Sequence, residues 1–220
     1  MSGDRLFFDF FGVSPEETST KQGGMIQEMT GTSKMGQALM VRLPDRLEFN
    51  MSPLMDASAS ELPDSPEFSF MPQESITAFR EASYRIVQAV EGIQRVGVGG
   101  KLICPAKDHQ DGYKLLQTKL CNVKLDPKTS DFTYTINIAR EKSFDGKATR
   151  INRLCTWRCV MVNLLKDDGT LWQLYGAEME PDINTAPNID FSTFSLEDRK
   201  SILATLFDYH MEFATSGESP

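Results

Sequence analysis

The sequence predicts an α+β protein: an antiparallel sheet of about four to six strands packed by two main helices, behind a disordered N-terminal tail. Three observations predict it. Apolar residues recur at helical spacing in two stretches, 75–94 and 194–213. Between them lie segments of alternating apolar and polar residues, separated by turn residues. Ahead of both, residues 1–38 are rich in Gly, Ser, Thr and Gln and show little periodicity.

Within that tail, Leu6-Phe7-Phe8-Asp9-Phe10-Phe11 stands apart. Four phenylalanines in five positions either dock on the protein's own core or anchor a partner, so Phe7, Phe8, Phe10 and Phe11 are the candidate partner anchor. An interfacial membrane helix would carry a Lys/Arg-rich polar face, and Asp4, Arg5 and Asp9 do not provide one. A single α+β domain is expected over 39–215, followed by a frayed C-terminus at 216–220. Residues 39–50 read as one or two short strands around Pro44-Asp45. Residues 51–74 read as a Ser/Pro-rich acidic linker within which Phe68-Ser69-Phe70 would make a small strand. Ser14, Ser52 and Ser65 precede proline, which makes them candidate phosphorylation sites in an already acidic flank.

The first helix runs from an N-cap at Ser75 to Gln94, with Ile76, Phe79, Ile86, Val87, Val90 and Ile93 on its apolar side. Gly97-Val98-Gly99-Gly100-Lys101 is not a phosphate loop, because a helix precedes it and strand-like Leu102-Ile103-Cys104-Pro105 follows. It reads as a flexible connection. Residues 113–125 read as a bent strand, 126–131 as a turn and 132–138 as a half-buried strand. A loop is expected around Asp145-Gly146, then a long strand from Ile151 to Leu165. Asp167-Asp168-Gly169 signals a hairpin into 170–179, and 181–188 reads as a polar loop. Ser195 with Asp198 resembles a capping box that opens the second helix.

Charge is laid out in three blocks. Residues 1–75 carry 12 acidic and 5 basic side chains, residues 76–160 carry 8 and 15, and residues 161–220 carry 11 and 3. The net charge of −8 therefore hides a basic centre between acidic flanks. Lys114, Lys119, Lys124, Lys128, Arg140, Lys142, Lys147, Arg150, Arg153 and Arg158 are the candidate residues for an anionic partner, either a lipid surface or RNA in a ribonucleoprotein. Opposite charges on one chain also favour self-association, so a homo-oligomer is expected.

Signals for chemistry are thin. The two histidines are His109, in a polar run with Asp108 and Asp111, and His210, on the second helix. Cys155 and Cys159 flank Trp157 on one strand face, and with Cys104 and Cys121 they read as free thiols in a reducing compartment. No catalytic residue, metal site or cofactor is expected. The start, Met1-Ser2-Gly3-Asp4, lacks the pattern of a signal peptide, and no run is long and apolar enough for a transmembrane segment. The expectation is a cytoplasmic structural protein, membrane-peripheral at most, that self-associates and binds an anionic partner. By analogy alone, its plan is that of viral matrix proteins. The alternative is a small ligand-binding protein or enzyme with a pocket formed by the sheet.

Overall fold

The computed structural model describes residues 2–34, 36–44, 46–52, 73–126, 128–165, 169, 171–187 and 189–217. The fold is α+β, with two antiparallel sheets of four and six strands. The chain divides into two compact units. One is Met1–Met55 with Met71–Glu91, and the other is Asp56–Phe70 with Gly92–Pro220.

The first unit begins where a tail is expected. Helix α1 (Gly3–Phe11) buries Leu6, Phe7, Phe10 and Phe11 on one side and leaves Phe8 outside. Gly12 ends it in the left-handed region (φ 74°), donating its N–H to the Phe8 carbonyl. Strands β1 (Glu17–Lys21), β2 (Ile26–Ser33), β3 (Gly36–Arg42) and β4 (Leu47–Ser52) form an antiparallel meander in sequence order. Opposed pairs Met29–Met40 and Gly31–Ala38 turn toward α1 and toward α2 (Gln73–Ala89). Phe10 stacks on Phe49 at 4.1 Å between ring centres and meets Phe79 edge-on at 5.0 Å.

The N-terminal glycines suggest disorder in the sequence, but two of them are packing positions. A Cβ on Gly31 would come within 3.3 Å of the Phe7 ring, and one on Gly36 (φ 137°) would lie 2.2 Å from the Ser52 carbonyl oxygen. Small residues there let the helix and the neighbouring strand approach closely. Residues 1–38 thus hold a helix, two full strands and the start of a third, a correction to the mobile tail. The strands expected over 39–50 are β3 and β4, joined where the Leu43 N–H donates to the Arg46 carbonyl. Most of the expected linker, including the 68–70 strand and Ser65, lies outside the described residues. Helix α2 starts two residues before the expected Ser75 cap and ends at Ala89.

The second unit is built on one long hairpin. Strand β9 (Lys147–Leu165) pairs through Ile151–Leu165 with the whole of β10 (Leu171–Thr185). Strands β7 (Thr133–Asn137) and β8 (Arg140–Phe144) pair with the outer edge of β9, and β5 (Gly97–Gly99) and β6 (Leu102–Ala106) with that of β10. Helices α3 (His109–Lys119) and α4 (Leu196–Ser216) pack against the β9–β10 pair.

Four sequence expectations change here. Residues 113–119 belong to helix α3, where Tyr113, Leu116 and the following Leu120 are buried at spacings of three and four. Asp108 caps the helix by accepting the Asp111 N–H at 2.8 Å. The loop around Asp145-Gly146 is a two-residue hairpin turn with both φ angles positive, 48° and 70°, which matches the twist of β8 and β9. The glycines at 97 and 99 belong to strand β5. Strand β10 continues through Pro181 to Thr185, where a loop is expected. The Pro181 carbonyl accepts from Gly100 N–H at 3.2 Å, so its missing donor faces the break between β5 and β6 and no ladder bond is lost. The α4 start is as expected, with the Ser195 hydroxyl accepting the Asp198 N–H.

Candidate functional site

The candidate basic site maps onto β8, β9, α3 and the segment after α3, and most of its charges are already spent inside the unit. Alternation sends the odd-numbered residues of β9 from Ile151 to Trp157 toward the helices. Arg153 is one of them, and its side chain is fully buried. Its guanidinium lies over the rings of Tyr209 (5.0 Å) and Phe213 (4.7 Å), with Glu212 Oε1 3.1 Å from Nη2. Arg140 grips the same carboxylate with two bonds, at 2.9 and 2.8 Å. Burial pushes the Arg153 pKa down, and Glu212 pulls it back up. Two arginines and one glutamate therefore latch β8 and β9 to α4.

Lys142 Nζ donates to Thr205 Oγ1 on α4 at 3.0 Å. Lys147 Nζ donates to the Thr193 carbonyl at 3.2 Å and lies over the Phe194 ring. Lys119 Nζ reaches the Ala214 and Thr215 carbonyls near the C-terminal end of α4, where the helix dipole favours a cation. On the opposite face of β9, Arg158 pairs with its cross-strand neighbour Glu178 and with Glu180 at 2.9 Å. These six residues hold the unit together. Lys114, Lys124, Lys128 and Arg150 are exposed and have no ion pair among the described residues. The ten candidates are thus not one continuous patch.

The candidate anchor fares similarly. Phe7, Phe10 and Phe11 fill the core of the first unit and are not available to a partner, whereas Phe8 is 48% exposed.

The polar groups considered for chemistry have local tasks. His109 sits in the first turn of α3, edge-on to Tyr113 at 4.6 Å. The two aspartates beside it serve the backbone: Asp108 caps the helix and the Asp111 carboxylate accepts the Lys107 N–H. His210 is half-buried on α4, its Nε2 is out of solvent without a hydrogen-bond partner among the described residues, and desolvation pushes its pKa down to about 4. Burial likewise raises the thiols of Cys104, Cys155 and Cys159, which disfavours the nucleophilic thiolate, while Cys121 is exposed.

The helix-facing side of the six-stranded sheet is filled by Ile151, Cys155, Trp157, Met179 and Ile183 under Phe213, all fully buried. An open depression of about 450 Å³ lies instead in the first unit, lined by Thr20, Gly24, Met25, Gln27, Arg42, Leu43 and Pro44. Among the described residues, no group of three or more His, Cys, Asp or Glu side chains is placed to hold a metal ion, and no helix is long and apolar enough to cross a membrane. Compared with protein-family models, curated proteins and solved structures, the chain matches none.

Proposed function

We propose that this chain is a non-catalytic assembly protein that self-associates and binds an anionic partner through exposed cations of its second unit. The division of the basic block carries this reading. Six of its cations are committed to the unit's own carboxylates, carbonyls and hydroxyls, while Lys114, Lys124, Lys128 and Arg150 remain exposed with no ion pair among the described residues. Free lysines and arginines on a surface recognise phosphate, on a lipid headgroup or on RNA.

The experiment is a titration of the full chain against anionic vesicles and against single-stranded RNA, across a salt series. With three or four phosphate contacts, log K against log salt should fall with a slope of about −2 to −3 for RNA. The variant Lys114→Glu/Lys124→Glu/Lys128→Glu should abolish binding to whichever surface is recognised. Binding by this variant at wild-type strength, or no binding to either probe by the wild type, would overturn the anionic-partner reading.

A further inference from the structure

Strands β9 and β10 extend beyond the strands that flank them. On the outer side of β9, pairing with β7 stops at Arg158. On the outer side of β10, pairing with β6 stops at Tyr175. From there Val160–Leu165 has no partner on its outer side among the described strands, and Val162–Leu165 with Leu171–Leu174 continue as a two-stranded ribbon. An isolated two-stranded ribbon is marginal in water, and an open edge is a template for another strand. At about 3.4 Å per residue, the open β9 edge is roughly 20 Å long.

Its composition narrows the occupant. The ten residues of Val160–Leu165 and Leu171–Leu174 include no Asp, Glu, Lys or Arg, in a chain where charged residues make up 25%. They also include no proline or glycine, so neither charge nor proline on the strands themselves blunts this edge. Met161 and Leu171 are exposed at 48% and 61%. Phosphate would require basic residues, and the intervening sequence Lys166-Asp167-Asp168 is net negative. A second copy of this chain has an equally neutral edge, so two copies with net charge −8 each can meet there without like charges in register.

On the reading that the protein self-associates, we propose that the outer edge of β9, Val160–Leu165, pairs antiparallel with the same edge of a second copy about a two-fold axis. An antiparallel strand is self-complementary under that symmetry, so the contact closes as a dimer and joins two six-stranded sheets. Six edge residues a side are fewer than the roughly 20–30 of a standard interface, so the concentration series that tests it extends well above the micromolar range.

The test uses sedimentation velocity on the full chain over a concentration series reaching several hundred micromolar. Met161 and Asn163 are exposed and share one face of β9, so charging them leaves the core untouched. The variants Met161→Lys/Asn163→Lys and Met161→Glu/Asn163→Glu should each dimerise roughly tenfold more weakly, because like charges meet across the axis. Mixing the two should restore a heterodimer, which also shows that both variants are folded. If the wild type dimerises and both variants dimerise equally well, pairing through the β9 edge is overturned and self-association stands. If the wild type is monomeric throughout, self-association itself falls. Flotation of monomeric wild type, but not of the lysine variant, with zwitterionic vesicles would assign the ribbon to lipid and overturn the dimer.

Discussion

At Arg153 a full positive charge sits out of water, and Glu212 is the carboxylate that balances both it and Arg140. Removing one partner of such a group exposes the asymmetry of buried charge: the remaining ion keeps its desolvation cost and loses its compensation. Glu212→Ala should therefore lower stability by about 3 kcal/mol in chemical denaturation. Arg153→Met, which deletes the charge and keeps an apolar stem against Tyr209 and Phe213, should stay within about 1 kcal/mol of wild type. Equal losses in the two variants would mean that the latch is ordinary packing. His210 makes a second residue-scale prediction. Its folded pKa of about 4 lies below the ordinary 6.5, so the unfolded chain takes up a proton first as pH falls. The contribution is whole above pH 6.5 and is lost between 6.5 and about 4, which amounts to roughly 2–3 kcal/mol by pH 4.5. His210→Met should remove that part of the pH dependence. An unchanged slope would show that the imidazole is not held neutral.

Among the elements, α1 decides how residues 1–38 are understood. Phe10 is fully buried between Phe49 and Phe79, whereas Phe8 points outward. Phe10→Ala should cost about 3–5 kcal/mol in the melt of the first unit, and Phe8→Ala within about 0.5. Similar small effects from both would restore a solvated aromatic anchor. What the sequence reveals follows from which signals are local. Helix α4 is legible from Ser195, Asp198 and its apolar spacing, and the β9–β10 hairpin from alternation and Asp168-Gly169, because those signals act within a few residues. Helix α3 is not, since Tyr113, Leu116 and Leu120 are one short stripe inside a segment that also alternates. Strands β1 and β2 and the start of β3 are hidden because Gly31 and Gly36 are placed by contacts with Phe7 and Ser52, neighbours distant in sequence. Pro181 misleads because its missing donor matters only relative to a gap between two other strands. The candidate cations are visible as residue types, but their division into committed and free groups depends on β-strand parity and on carboxylates far along the chain.

Across the whole molecule, the three charge blocks are partly reconciled by folding. The basic centre meets the acidic C-terminal block inside one unit, as Arg158 with Glu178 and Glu180, and as Arg140 and Arg153 with Glu212. The charges that would draw two copies head to tail are therefore partly consumed within each copy. Removing residues 1–40, which would delete a detachable tail, here removes α1, β1, β2 and most of β3, and with them Phe7, Phe10, Met29 and Met40 from a core. Salt separates the remaining forces more cleanly than truncation. Raising ionic strength shortens the Debye length from about 30 Å at 0.01 M to about 8 Å at 0.15 M. Phosphate binding by Lys114, Lys124, Lys128 and Arg150 should weaken steeply over that range. Dimerisation through an uncharged edge should not weaken, and it should strengthen modestly as repulsion between copies of net charge −8 is screened. Sedimentation and vesicle or RNA binding, measured on one preparation at low and physiological salt, should therefore move in opposite directions. If self-association instead collapses with salt alongside anion binding, head-to-tail attraction between the blocks is what joins the copies, and the pairs within the second unit do not exhaust it.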